Sequence, residues 1–254
     1  MPSRFIKQFI YGILFLVVLG GIISGIYSAF LKPAQSCFDN IQNQGEEGVD
    51  CGGPCKKSCL PQRLQPIELV QGVKIFYPAS GRISLLAKIQ NPNTEIAAKD
   101  FDYQFKVYDN QNKLLGAISG RSFIYSGEIK YLAEFLEEGN FKNANRAELL
   151  IENPNWVPAT EFPRPLLSVL NQQVEVYNGE LRLRGKIINN DTIPFPKTII
   201  LAIFSNQLGA VVGVSRTEIE NFLAGENRSF TIMHPQIPGI ESPKAEILIF
   251  SRRP

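Results

Sequence analysis

Shifted by 98 residues against itself, the chain matches in separate co-linear blocks, and this internal duplication constrains its fold more than any single motif. Gly81, Leu85, Lys88, Ile89, Asn91 and Thr94 recur as Gly179, Leu183, Lys186, Ile187, Asn189 and Thr192. Gly127-Glu128 recurs as Gly225-Glu226, and Ala147-Glu148-Leu149-Leu150-Ile151 as Ala245-Glu246-Ile247-Leu248-Ile249. Between these blocks a short insertion slips the register, so that Val107-Tyr108-Asp109-Asn110-Gln111 pairs with Ile203-Phe204-Ser205-Asn206-Gln207.

Each copy reads as strands. Ile83, Leu85, Ala87 and Ile89 alternate with more polar residues at period two, as do Leu181, Leu183, Gly185 and Ile187. Turn clusters interrupt the pattern at Asn91-Pro92-Asn93-Thr94, Asn189-Asn190-Asp191-Thr192, Asp109 to Asn112 and Ser205 to Gly209. Phe101, Tyr103, Phe105 and Val107 alternate strictly, whereas Ile199 to Phe204 is a continuous apolar run, the pattern of a strand covered on both faces. Short strands at such spacing predict an all-β fold of two tandem β-sandwiches. Arg182, Arg184 and Lys186 alternate with Leu181, Leu183 and Gly185, the pattern of the solvent face of a half-buried strand.

Phe105-Lys106-Val107-Tyr108-Asp109 resembles the signature of FxLYD domains, small Ig-like sandwiches of prokaryotic exported and membrane-anchored proteins, with Val107 in the Leu position. Asn91, Leu114-Leu115-Gly116 and Gly127-Glu128 match the family layout, as do Asn189, Val211-Val212-Gly213 and Gly225-Glu226. The second copy departs from the signature at Leu201-Ala202-Ile203-Phe204-Ser205. The resemblance implies Ig-like sandwiches related to water-stress and late-embryogenesis-abundant domains. Its motif residues Phe105, Val107, Tyr108 and Asp109 are structural, and it carries no catalytic residue.

Ahead of the copies, Phe9 to Leu31 contains no charge. At 1.5 Å per residue a helix of that length is about 34 Å long, enough to cross a hydrocarbon core. Tyr27 stands where cleavage after Ala29 needs a small residue, so the run reads as an uncleaved signal anchor. Arg4 and Lys7 precede it and Lys32 follows, which predicts a cytosolic N-terminus and extracytoplasmic C-terminal domains in the cell membrane. Gly21 and Gly25 form a GxxxG step, and homodimerisation through this helix is a further expectation.

All four cysteines, Cys37, Cys51, Cys55 and Cys59, follow within a Gly-rich stretch spaced C-x13-C-x3-C-x3-C. So short a segment has no core of its own, and two disulfides of open pairing are the economical way to order it outside the cell. The stretch Gly48-Val49-Asp50-Cys51-Gly52-Gly53-Pro54-Cys55 resembles short "DCGGxC" modules of secreted and surface proteins. Zinc is disfavoured by export and by the spacing. Asp39, Asn43, Glu46, Glu47 and Asp50 place hard oxygen donors along the loop, so calcium is the one cofactor to consider, against a solvated acidic loop.

Elsewhere the sequence is poor in chemistry. His234 is the single histidine and sits beside Pro235; the nucleophile-elbow, phosphate-loop and zinc-protease motifs are absent. A net charge of +2 gives no bias toward nucleic acid. The expected order is a cytosolic N-terminus (1–8), the anchor (9–31), a Cys-rich module (32–61), a first sandwich (62–155), a Pro-rich linker around Trp156 (156–165) and a second sandwich (166–254). Ser251 to Pro254 reads as an exposed tail. The chain is expected to be a non-enzymatic binding or scaffold protein of the cell envelope, recognising another envelope protein or a surface polymer. An accessory subunit of an export, pilus-like or envelope-assembly machine and a calcium-stabilised stalk are the alternatives.

Overall fold

The computed structural model describes residues 4–31, 36–43, 45–61, 63–79, 81–137, 139–237 and 244–254. Lys32, used above for orientation, and the exit as far as Gln35 lie outside them. The chain divides into two compact units, Met1–Cys59 and Leu60–Pro254.

In the first unit, helix α1 (Arg4–Ile26) runs into a π-helical turn, Tyr27–Leu31. The most apolar 18-residue stretch within Arg4–Phe30 has a mean hydropathy of 2.5, and none of its side chains is buried by protein. A helix that is apolar on all sides and uncovered is suited to lipid. The Cys-rich module is built from turns, with Gly48 and Cys51 as an isolated bridge. Two disulfides, Cys37–Cys55 and Cys51–Cys59, replace the missing core. Gly48 leaves room for the second bridge: a Cβ there would lie 2.9 Å from Cys51 Sγ and 3.0 Å from Cys59 Sγ.

Among the described residues the second unit is β-structure apart from one short 3-10 turn, Gly139–Phe141, with six strands in each half. The first half comprises β1 (Glu68–Ala79), β2 (Arg82–Gln90), β3 (Ile96–Tyr108), β4 (Leu114–Ile124), β5 (Ile129–Glu137) and β6 (Arg146–Pro158). The second comprises β7 (Leu167–Tyr177), β8 (Glu180–Asn189), β9 (Phe195–Ser205), β10 (Val211–Phe222), β11 (Asn227–Pro235) and β12 (Lys244–Ser251). Each half has two antiparallel three-stranded sheets, β1-β2-β5 with β4-β3-β6 and β7-β8-β11 with β10-β9-β12. The strand order of the halves is therefore the same.

Side-chain alternation fills the space between the sheets. Ile83, Leu85, Ala87 and Ile89 on β2 meet Phe101, Phe105 and Val107 on β3. Leu181, Leu183 and Ile187 on β8 meet Ile200, Ala202 and Phe204 on β9. Asn91 and Asn189, both fully buried, tie the loops of each half. Each amide donates to two or more backbone carbonyls, those of Ile96 and Tyr125 for Asn91, and those of Ile193 and Leu223 among others for Asn189. Leaving those carbonyls unpaired inside the protein would cost about 1–3 kcal/mol each, which explains a polar residue at these positions.

The hairpin turns revise the alignment between the halves. Asp109 Oδ1 accepts the amides of Gln111 and Lys113, and Asn206 Oδ1 accepts those of Leu208 and Ala210. Asp109 is thus equivalent to Asn206, not to Ser205. The signature Phe105-Lys106-Val107-Tyr108-Asp109 corresponds to Ala202-Ile203-Phe204-Ser205-Asn206. Its two core positions exchange a large and a small side chain, Phe105 with Val107 against Ala202 with Phe204, which keeps the packed volume similar.

The halves do not hang on a linker. β6 continues through Trp156, paired with Ala98, to Pro158, and Trp156 packs on the first core. Outward side chains of β1-β2-β5 then meet outward side chains of β10-β9-β12. Leu86, Phe76 and Phe135 pack with Leu201, Ile203 and Val214 in a third apolar cluster. The continuous run Ile199 to Phe204 is explained by this contact, since β9 is covered on both faces.

Candidate functional site

Two places gather unusual chemistry. In the Cys-rich module the acidic side chains turn inward and serve the backbone. Glu46 is buried, and its Oε2 accepts the amides of Asn43 and Asp50. Asp50 accepts the amides of Asp39 and Asn40, and Asp39 accepts those of Ser36 and Ile41 and the side chain of Asn43. The Asn43 amide, with the Ile41 and Ser36 backbone amides, holds the Asp39 carboxyl below its ordinary range. Four of the five residues considered as calcium donors are therefore brought together, and their carboxylates replace secondary structure as the organiser of the loop. Glu47 packs against Gly52 instead.

The sulfur atoms of Cys37 and Cys55 and a Glu46 carboxylate oxygen lie within 4.8 Å of one another, a grouping of metal-ligand size. Both sulfurs are joined in the Cys37–Cys55 disulfide, so they are not thiolates. Oxygen donors alone are left to a cation here, and only a hard ion matches that donor set.

The second place lies in the second unit, where the two halves meet. A pocket of ≈ 360 Å³ is lined by Phe123, Lys130, Tyr131, Ala133, Leu201 and Phe250, with Arg121, Arg216 and Arg252 around it. Phe123 and Arg121 come from β4, Lys130 to Ala133 from β5, and Leu201, Arg216 and Phe250 from the second half. Its walls are mainly apolar. Lys130 is 3% exposed. Its Nζ donates to the Phe123 carbonyl at 2.7 Å, lies 3.2 Å from the centre of the Phe123 ring and 5.0 Å from that of Phe250. Burial pushes this ammonium down to about 7, against a smaller upward pull from Glu128.

The surrounding cations are each matched. Arg121 pairs with Asp102, Arg252 with Asp100 at 3.6 Å and Arg216 with Glu218 at 3.8 Å. Among the described residues, no carboxylate oxygen lies within 4 Å of Lys130 Nζ. Tyr103 closes one side and donates to Glu134; burial, then this bond, pushes its phenol up.

A clamp stands beside this pocket where an exposed tail was expected. Tyr125 donates to the Ser251 carbonyl at 2.7 Å and accepts the Arg253 amide. Arg252 reaches the Lys99 carbonyl on β3, and Arg253 reaches the Pro163 carbonyl and the buried Asp191 carboxylate. Burial raises the Asp191 carboxyl, but the Leu166 and Thr192 amides and Arg253 together leave it below its ordinary range. Tyr125 also stacks on Phe162 at 4.7 Å. The tail is therefore a fastening of the second half to the first.

The other sequence candidates are structural. Phe105 and Val107 are core residues, Tyr108 donates to Glu148, and Asp109 closes its turn. His234 is buried against Phe204, with Nδ1 hydrogen-bonded to the Pro235 carbonyl, and burial lowers its pKa. Arg182 and Arg184 share Glu175 on the outer face. Gly21 and Gly25 stand one turn apart on α1 with open space around them. Lys130 escaped notice because a lysine in an alternating strand reads as a solvent cation. Its parity with Leu132 and Leu136, which face the first core, was the available signal.

No family model and no curated protein matches the chain. Among solved structures it is similar to red sea bream transglutaminase, at 12% identity and a TM-score of 0.25, over 74% of this chain and 29% of that one. It is also similar to a beta-glucuronidase of glycoside hydrolase family 2, at 11% identity and a TM-score of 0.28, over 86% of this chain and 27% of that one. The chain spans less than a third of either.

Proposed function

We propose that this chain is a single-pass membrane protein whose disulfide module and two tandem Ig-like, FxLYD-type sandwiches lie outside the cytoplasm, where they bind or scaffold rather than catalyse. The observation that carries the reading is the succession of an uncovered apolar helix and a segment ordered by two disulfides. A lipid-facing helix needs a bilayer, and disulfides persist in oxidising compartments. The outer faces and loops of the β-region are the surfaces offered to an envelope protein or surface polymer.

Orientation is tested by fusing alkaline phosphatase or a green fluorescent protein to the C-terminus. An active phosphatase and a dark fluorophore are expected; the reverse outcome refutes the reading. Binding is tested by exchanging Phe9 to Leu31 for an unrelated span and identifying co-purifying proteins. Retained partners assign recognition to the part of the chain after the helix. Lost partners favour the second reading, an accessory subunit of an envelope machine, with Gly21 and Gly25 as the helix-packing or homodimer surface. The inward carboxylates of Asp39, Glu46 and Asp50 leave a calcium-stabilised stalk as a third reading, removed if melting is unaltered by calcium or EDTA.

A further inference from the structure

The two halves place different cations at equivalent positions, and the difference isolates Lys130. The offset of 98 residues aligns Gly127-Glu128-Ile129-Lys130 with Gly225-Glu226-Asn227-Arg228. The loops agree in detail: Glu128 accepts the Tyr125 amide, and Glu226 accepts the Leu223 amide. Arg228 shows what a purely structural cation does at this position. It pairs with Glu226 at 2.6 Å and donates to the carbonyls of Glu220 and Asn221, so its donors are spent at the surface. Lys130 keeps only one of these partners, the Phe123 carbonyl that corresponds to that of Asn221. It has lost the ion pair, and it lines an apolar pocket instead of the surface.

From this asymmetry we propose that the pocket between the halves is a binding site for a small carboxylic acid with an apolar body, the carboxylate pairing with Lys130 and the body lying on Phe123, Ala133, Leu201 and Phe250. Of the three donors of the ammonium one goes to the Phe123 carbonyl and one side faces the Phe123 ring, which leaves one for such an oxygen. A charge-assisted bond in surroundings of low polarity is strong, and a counter-ion offsets the cost of burying the lysine. Mainly apolar walls with a few placed polar groups, here Lys130 with Tyr103, Ser122, Asp100 and the three arginines at the margin, are the ordinary form of a small-ligand site. The lowered proton affinity of Lys130 is what an ammonium without its counter-ion shows. The rim arginines compete little, since each already holds a carboxylate.

The probe is 2-naphthoate, with 2-naphthalenemethanol as its uncharged counterpart, titrated calorimetrically into the full-length chain in nanodiscs. Empty nanodiscs give the blank. The acid is expected to bind at least ten-fold more tightly than the alcohol. Lys130→Met, which keeps length and apolar volume, is expected to abolish that preference. Ser122→Phe, which fills the pocket from β4 and leaves Lys130 in place, is expected to abolish binding of both. Equal affinity for acid and alcohol in the unaltered protein overturns the proposal, and so does a preference that survives in Lys130→Met. Should Lys130→Met fail to fold, as judged by near-ultraviolet circular dichroism, Ser122→Phe decides: retained binding overturns the site.

Discussion

The first and second halves of the β-region share strand order, buried asparagines and turn chemistry, yet the same sheet has opposite surroundings in each. On β3 the outward positions Gln104 and Lys106 stay on the outer face, whereas their equivalents on β9, Leu201 and Ile203, lie in the apolar cluster at the junction of the halves. Lys106 is only partly buried, while Ile203 is 1% exposed. One scaffold thus serves as an outer wall in one half and an inner wall in the other. What differs is the alternate side chain, not the strand. A strand's identity is set by its core-facing residues, and its role by those on the opposite face.

The contrast is broken most severely by placing a charge at matched positions. Ile203→Asp buries an unpaired carboxylate between the halves and is expected to cost at least about 3–5 kcal/mol, enough to unfold a marginal protein. Lys106→Asp on the outer face is expected to stay within about 0.5 kcal/mol. Urea unfolding of the two variants measures the difference; equal losses would show that the junction is not formed in solution.

The large–small exchange between signature positions gives a finer test. Phe204→Val opens a cavity, with an expected loss of about 2–3 kcal/mol, and Ala202→Phe overpacks the core by about 1–3 kcal/mol. Together they reproduce the Phe105/Val107 arrangement of the first half. The double variant is expected to recover at least about 1 kcal/mol relative to the sum of the singles, and strict additivity would contradict the revised alignment.

Next is the fastening by the tail. Arg253→Ala leaves the Asp191 carboxylate buried without its cation, and a loss of about 2 kcal/mol is expected. The equivalent turn of the first half has Asn93, which donates to the Gln65 carbonyl and accepts the Gln65 amide, and among the described residues no arginine reaches it; Asn93→Ala therefore removes neutral hydrogen bonds without stranding a buried charge and is expected to cost less. Calorimetric melting of both variants separates the two turns.

The last contrast belongs to the cations, and it depends on pH. Lys130 is held near 7 in the folded protein against an ordinary value of 10.5. Between those values the unfolded chain binds more protons than the folded one. Its contribution to stability therefore rises with pH from about 7 upward, by no more than about 1.4 kcal/mol per unit. Lys130→Met is expected to flatten stability between pH 7 and 9.5, and Arg228→Met is not. A slope unaltered by Lys130→Met would show that the ammonium is solvated.

The alternation of Ile83 to Ile89 and the unbroken run Ile199 to Phe204 made the strands legible in the sequence, along with the double covering of β9. Cysteine spacing announced the module but not the pairing, because pairing depends on where turns bring the sulfurs. The alignment error at Asp109 has a clear origin. Identity favours matching Asn110-Gln111 with Asn206-Gln207, whereas the turn requires a side-chain acceptor one residue earlier. The tail and Lys130 were missed for a shared reason. Charged residues near strand ends look like solvent groups until their partners, Asp191 for Arg253 and Phe250 for Lys130, are brought in from distant sequence.

The junction between the halves joins unlike sheets. The β1-β2-β5 sheet of one half receives the β10-β9-β12 sheet of the other, so no twofold axis relates them. Contacts of this kind are heterologous, and nothing in their geometry limits them to two partners. A third unit on either end would meet Gln104, Lys106 and Tyr108, or Arg182, Arg184 and Lys186, and would have to bury their charges. Polar end plates thus terminate an assembly that would otherwise be open-ended, as terminal repeats do in solenoids.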